Sequence, residues 1–367
     1  MPLVLVTPRC ARARRSPSLS LIGPLSVRRA QRLVQRLVQR RVQRRVQRLV
    51  LVLLVLAVLI PAGATSAQDG ASSATSGISV QRVRPGIHVA SGYANGNVLV
   101  VESDTGLLLV DAQSATRVAA LDSAIRRLSS RPVRLVVNTH YHGDHTEGNA
   151  FFRQLGAEVV AQRNVAVQAV KDTVITDWSN WHRTPLAAGA LPNRAFDDSI
   201  VFDFGREGVH VWHAPGAHTD GDAMIWLPRA NVLHIGDIFE VGAPPFIDLW
   251  AGGSVAGMLA AIDRVLAVVD ERTVIVPGHG AVSSREELVR YRAMLQTVRD
   301  RVAAAQSRGK TLDALLAERP AREWESTMGG PRRAQQFVTL VYADLSQDGS
   351  NRTPVPRPPS PVYLRRR

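Results

Sequence analysis

At 367 residues the chain is long enough to bury one large core or two small ones, and its formal charge of +14 first suggests a nucleic-acid partner. That charge is confined to one end: residues 1–67 hold 13 Arg and no acidic residue, leaving 32 basic and 31 acidic residues in the remainder. The body of the chain is therefore close to neutral, which argues against a phosphate-backbone partner. The single cysteine, Cys10, also lies in the leader, so the rest of the chain has no disulfide framework, no thiolate metal ligand and no Cys nucleophile.

The N-terminal segment reads as three pieces. Residues 1–48 are Arg-rich, and from Gln31 the tetrad Gln-Arg-Leu-Val recurs with slippage to Arg48, a repetition expected of a low-complexity expansion or an upstream extension rather than of a basic helix on a membrane surface. Residues 49–60 form an apolar run, short of the roughly 20 residues that a spanning helix needs. Pro61-Ala62-Gly63-Ala64-Thr65-Ser66-Ala67 follows, and basic region, apolar region and small residues in this order predict a secretory signal cleaved after Ala64 or Ala67. An uncleaved membrane anchor is the alternative. The predicted location is periplasmic or secreted, with any membrane contact made through residues 1–67 alone. Residues 68–77, rich in Gly, Ala and Ser, read as a flexible linker, and residues 346–367, with five Pro and five Arg, as a disordered tail.

The globular domain is expected over residues 78–345. Apolar segments at 87–90, 98–101 and 107–110, separated by Gly and Asn turns, predict an antiparallel start to a sheet, with Asp111 ending the third. Residues 115–128 have helical spacing, with Val118, Leu121, Ile125 and Leu128 on one face, and Pro132 breaks the pattern. A buried strand is predicted at 133–137, then a helix over 147–155, a strand over 158–161 and a helix over 164–170. Residues 171–198 contain Trp178, Trp181, His182, Pro185 and Pro192 without periodicity, and read either as a loop supplying aromatic contacts to a substrate or as an excursion packed on the body. Strands are expected at 199–204, 209–213, 223–227, 232–235 and 273–276, helices at 255–269 and 286–302, and more helix to about residue 345. Two runs of strands with intervening helices predict a mixed α/β chain built as sheet on sheet with a helical cover.

One stretch concentrates the chemistry: Asn138-Thr139-His140-Tyr141-His142-Gly143-Asp144-His145-Thr146-Glu147-Gly148. Three imidazoles and a carboxylate within six residues, directly after an apolar strand, suit zinc, because buried groups of this kind need partners and the turn aims them at one spot. Further clusters follow at His213 to Asp222, at His234-Ile235-Gly236-Asp237 and at Val276-Pro277-Gly278-His279-Gly280, each at a predicted strand end. The first stretch resembles the HxHxDH motif of the metallo-β-lactamase-fold hydrolases, and the likeness continues in order over roughly residues 79–300. It implies the αββα sandwich, two mixed β-sheets covered by helices, with metals at one edge. By resemblance His140, His142 and His218 look like ligands of a first metal, Asp144, His145 and His279 like those of a second, and Asp237 like the carboxylate bridging both. Two Zn2+ are the implied cofactors, with metal-bound hydroxide attacking a carbonyl and Asp144 orienting it.

His88, His182, His210, His213 and His234 match no ligand position, and His182 is kept only as a substrate-contact candidate. Gly216, Gly278 and Gly280 are expected to allow tight turns beside the metals. For substrate, His218-Thr219-Asp220-Gly221-Asp222 and the strand after it resemble class B β-lactamases. Asp237 stands where subclasses of those enzymes carry Cys, and Glu240 where many carry a Lys that grips the substrate carboxylate, a charge that would repel it. Ring opening of a β-lactam-type amide is the first expectation. A glyoxalase II-like thioesterase or lactonase is the alternative, with a mono-iron persulfide dioxygenase behind it. The expected partner is a small molecule and not nucleic acid.

Overall fold

Strands rich in Val, Ile and Leu alternate their side chains across the pleat, so a strand apolar at every position needs cover on both faces. Several strands here have that character, and the fold supplies both covers. The computed structural model describes residues 77–92, 95–176, 178 and 180–346; the predicted leader, nearly all of the linker and the C-terminal tail lie outside the described residues. The first sheet is built from β1 (Ser79–Arg84), β2 (Ile87–Gly92), β3 (Asn95–Glu102) and β4 (Leu107–Val110), paired antiparallel, and continues parallel through β5 (Val133–Val137) and β6 (Glu158–Gln162). Between these strands lie helices α1 (Val118–Leu128), the one-turn α2 (Gly143–Thr146) and α3 (Asn149–Gln154). Helix α4 (Arg163–Ala169) is followed by a separate two-stranded hairpin, β7 (Thr173–Ile175) with β8 (Trp181–Arg183), and then by β9 (Arg194–Phe196), which joins the edge of the first sheet beside β6.

The second sheet runs β10 (Ser199–Phe204), β11 (Glu207–Ala214), β12 (Asp222–Leu227) and β13 (Val232–His234) antiparallel, then β14 (Val274–Val276) parallel to β13. Helix α5 (Val255–Leu266) precedes β14, and α6 (Arg285–Ser307), α7 (Leu312–Ala317) and α8 (Pro331–Ser346) follow it.

Both sheets are covered on both faces. Leu99 and Val101 of β3, Leu108 and Val110 of β4, and Ala223, Ile225 and Leu227 of β12 meet in the layer between the sheets. The alternate residues of the same strands face outward: Val98, Val100, Leu107 and Leu109 pack under α1 and Phe152, and Met224 and Trp226 pack under α5, α6 and α8. This is the αββα sandwich with two mixed sheets. Among the described residues no helix is long and apolar enough to cross a membrane.

The elements that differ from the sequence expectation differ for tertiary reasons. Helix α1 starts at Val118 rather than 115, after a turn in which the Ala115 N–H donates to the Glu147 carboxylate at 3.0 Å. The helix expected over 147–155 starts at Asn149, because Gly148 donates to the Gln113 carbonyl at 2.9 Å where another loop crosses; a Cβ at 148 would stand 2.1 Å from the Ala112 carbonyl oxygen. Residues 171–198, read as aperiodic, contain three short strands whose lengths give no periodic signal. Strand β1 was not foreseen, its pattern being mostly exposed or half-buried as suits an edge.

Candidate metal centre

The ligand candidates sit where strands stop. Strand β5 ends at Val137, and the backbone then turns through Asn138, whose N–H donates to Val160 of neighbouring β6 and whose side-chain amide donates to the His145 carbonyl. That pairing throws His140 and His142 onto the rim and starts α2 beneath Asp144 and His145. His218 lies in the turn from β11 to β12, closed by Thr219, whose N–H and hydroxyl both donate to the Asp222 carboxylate at 2.8 and 2.6 Å. Asp237 follows β13 and His279 follows β14, and the Gly278 N–H donates to the Gly236 carbonyl at 2.8 Å, locking the two turns together. Gly278 is required by close approach, since a Cβ there would stand 1.8 Å from Asp237 Oδ1. Gly216 and Gly280 do adopt the left-handed conformations expected of tight turns.

All seven predicted ligands lie in two groups, His140, His142, His218 and Asp237, and Asp144, His145 and His279, with donor atoms within each group no more than 4.8 Å apart. In the first, His142 Nδ1 lies 3.1 Å from His140 Nε2 and 3.0 Å from His218 Nε2. In the second, His279 Nε2 lies 3.3 Å from His145 Nε2 and 3.2 Å from Asp144 Oδ2. Asp237 touches both: its Oδ2 is 3.7 Å from His140 Nε2 and 3.4 Å from His279 Nε2, and its Oδ1 is 3.3 Å from His145 Nε2. Yet Asp237 Oδ1 is buried and makes no hydrogen bond. Three imidazole nitrogens converging without a common acceptor, beside an orphaned carboxylate oxygen, are what a cation would satisfy, and the donor set of nitrogen and oxygen fits zinc. His140, His142 and His218 would hold one ion, Asp144, His145 and His279 the other, and Asp237 both.

Four of the five facing rings are fixed by a bond at the opposite nitrogen. Thr139 Oγ1 lies 3.0 Å from His140 Nδ1, Asp248 Oδ2 is 3.1 Å from His142 Nε2, Asp111 Oδ2 is 2.8 Å from His145 Nδ1, and His218 Nδ1 donates to the Phe246 carbonyl at 2.9 Å. Such outer partners set the tautomer and the ring plane. Asp111 is also held by Thr139, through its N–H at 2.7 Å and its hydroxyl at 2.8 Å, and sits at a φ of 68°, a strained conformation that aims its carboxylate inward. Asp248 receives the Tyr141 hydroxyl at 2.5 Å. Sequence reading missed Asp248 entirely and saw Asp111 only as the end of a strand; neither belongs to a spacing that signals a metal.

The electrostatics split the site. Burial holds His140 well below its ordinary value, with the neighbouring His145 charge adding to it, and lowers His218 to about 4, helped by His142. Burial also opposes charge on His145 and His279, but the Asp237 and Asp144 carboxylates outweigh it and raise them to about 9 and about 12. Asp144 is pulled down to about 2 because the His145 and His279 charges overcome its burial. Burial and the Asp237 charge push the Glu240 carboxyl up to about 8, and its backbone pairs with that of His279 beside the second group.

The two groups open onto a pocket of about 520 Å3 lined by His142, Gly143, Asp144, Trp178, Trp181 and Phe246. The unmatched histidines lie away from it. His182 Nε2 is 2.6 Å from Asp172 on the exposed side of the hairpin, because adjacent strand residues point to opposite faces and Trp181 takes the inward one. His213 donates to the Asp220 carbonyl, His234 to the Asn97 carbonyl, and His88 pairs with Glu102.

The metallo-beta-lactamase superfamily model matches residues 92–279, just over half of the chain, and spans every one of these ligands. The chain belongs to the metallo-beta-lactamase superfamily. Among superfamily relatives it is 25% identical over 206 residues to the metallo-beta-lactamase type 2 of Bacillus cereus, covering 54% of this chain and 74% of that protein. It is also 25% identical over 258 residues to a linear primary-alkylsulfatase of a Pseudomonas strain, covering 59% of this chain but only 48% of the relative. The chain thus spans about half the length of that alkylsulfatase. The solved inverting sec-alkylsulfatase of Pseudomonas superposes with a TM-score of 0.57 at 20% identity, over 74% of this chain and 51% of that one, which shows the shared fold. The chain is a superfamily hydrolase with a His and Asp metal-binding cluster.

Proposed function

We propose that the chain is an exported two-zinc hydrolase of small carbonyl substrates, with a β-lactam-type amide as the first candidate. The observation that carries this reading is the pair of ligand groups sharing Asp237 on the floor of a pocket with aromatic walls. When bound, zinc ions lower the pKa of a coordinated water toward neutrality and polarise the oxygen of the bond to be broken. The protein's own side chains do the rest. Among the described residues that line the pocket Asp144 is the acidic one, with a third of its side chain exposed, and its carboxylate is placed to accept a hydrogen bond from an attacking water and fix its direction. Trp178, Trp181 and Phe246 keep solvent off one side of the substrate. Asp111 and Asp248 hold His145 and His142 so that their ligand nitrogens stay aimed. No protein nucleophile is needed.

Similarity to the Bacillus cereus enzyme and the Thr219–Asp222 turn support the amide reading. A sulfate ester is the second reading, supported by the longer stretch shared with the Pseudomonas alkylsulfatase. Export is proposed from the order of basic, apolar and small residues before residue 68, with the membrane contacted only through that leader; a near-neutral body supports a small-molecule partner over nucleic acid.

The test is turnover of a chromogenic cephalosporin by residues 68–367 with added zinc, beside a thioester, a lactone and an alkyl sulfate. Cephalosporin turnover supports the amide reading, and preference for the sulfate ester supports the second. Turnover of none, with zinc bound, would overturn both.

A further inference from the structure

Four rings at the pocket mouth touch one another in a closed cycle. Trp178 lies 6.0 Å from Phe246, Phe246 6.0 Å from Trp181, Trp181 6.5 Å from Trp250, and Trp250 6.1 Å from Trp178, centroid to centroid. Three of the chain's six Trp are spent on this one wall. The wall abuts the metal groups directly, with Trp181 at 5.7 Å and Phe246 at 6.0 Å from the His142 ring.

Two of the rings come from the turn and second strand of the β7–β8 hairpin, which belongs to neither main sheet. Arg183 pins that hairpin from below. It is buried, its guanidinium lies 4.8 Å over the Tyr141 ring, and it donates to Gln168 at 2.9 Å and to the Trp250 carbonyl at 3.3 Å. Because Tyr141 in turn donates to Asp248, which touches His142, the wall and the ligand cluster are braced by one chain of contacts. Among the described residues lining the pocket there is no Lys or Arg to pair with an anion, and the single carboxylate, Asp144, faces His279 and His145. Tryptophan edges and faces with no basic residue among the described lining suit a flat uncharged group.

We propose that this aromatic wall is the specificity-determining subsite and takes an uncharged aryl side chain of the substrate, placed beside the scissile carbonyl. The proposal deepens the hydrolase reading and rests on it for the position of that carbonyl, but binding to the wall does not require turnover. Arg183 is a positioning residue that acts through the hairpin.

The experiment is a titration of the zinc-loaded chain with phenylacetamide, acetamide, phenylacetate, acetate and benzyltrimethylammonium, read by tryptophan fluorescence. Saturable quenching by phenylacetamide, weaker by at least about fivefold in Trp181→Ala and restored in Trp181→Phe, supports the wall. Arg183→Ala should weaken phenylacetamide binding and, for any substrate turned over, raise KM more for aryl-bearing than for methyl-bearing versions. Tighter binding of benzyltrimethylammonium than of phenylacetamide would overturn the uncharged-aryl assignment, as would equal binding of acetamide, or a preference for phenylacetate over phenylacetamide larger than that for acetate over acetamide. Phenylacetamide binding without turnover of any amide leaves the wall standing and sinks the amide reading; amide turnover without aryl preference does the reverse.

Discussion

The two halves of the metal centre are built from the same residue types and end in opposite electrostatic states. Around His140 and His218, burial wins, and the imidazoles are held neutral with their lone pairs free. Around His145 and His279, carboxylates win, and both rings keep a proton well above the ordinary histidine range. The difference lies in how the acids are placed: Asp111, Asp144 and Asp237 all lie against the one ring of His145, whereas in the first group Asp248 touches only His142 and Asp237 stands 3.7 Å from His140 and 3.8 Å from His218. The first group is ready for a cation as it stands. Loading the second would displace protons from His145 and His279.

Asp237→Ala would erase the comparison altogether, since this carboxylate touches both groups. Hydrolysis should fall to background and bound metal should be lost, as measured by turnover and by elemental analysis of the dialysed variant. His142→Ala should remove the ion of the first group while leaving the second partly loaded. The outer carboxylates test each half separately. Asp248→Asn should weaken metal at the first group and Asp111→Asn at the second, each by about 10–100-fold, read by competition with a chelator. If either variant weakened both groups equally, the halves would not be independent.

The pH dependence sharpens the contrast. Because His145 and His279 are raised above the unfolded value of 6.5, the stability they contribute is fully present below that value and is lost as pH rises through about 9 and about 12. The melting temperature of the chelator-treated chain should therefore fall between about pH 7 and about pH 10 more steeply than that of the zinc-loaded chain, in which metal replaces those protons. Parallel curves would contradict the assignment. The smallest effect is predicted for His182→Ala, which should leave kcat/KM unchanged, because that ring pairs with Asp172 away from the pocket.

The ligand cluster was legible in the sequence because its residues are dense and sit at ends of apolar strands: three imidazoles and a carboxylate in six positions have no cheap structural use. The two-layer sheet was legible for a related reason, since strands such as Asp222–Leu227 are apolar on both faces. What escaped was whatever depends on distant segments meeting. Asp248 reaches His142 across 106 positions, and nothing around Asp248 signals it. The aromatic wall joins Trp178 and Trp181 to Phe246 and Trp250 from a different loop, so residues 171–198 read as aperiodic although they form a hairpin with one face turned to the site. His182 misled for the same reason: a histidine beside two tryptophans invites a functional reading, and strand alternation turns it outward.

The number of metal ions per chain decides whether the two ligand groups form one dinuclear centre. Residues 68–367, purified without chelator, dialysed against dilute zinc and analysed by elemental emission, should carry two zinc ions per chain, and release of protons should accompany loading of the second. One ion per chain, or a single iron in its place, would contradict a centre made of two ligand groups joined by Asp237.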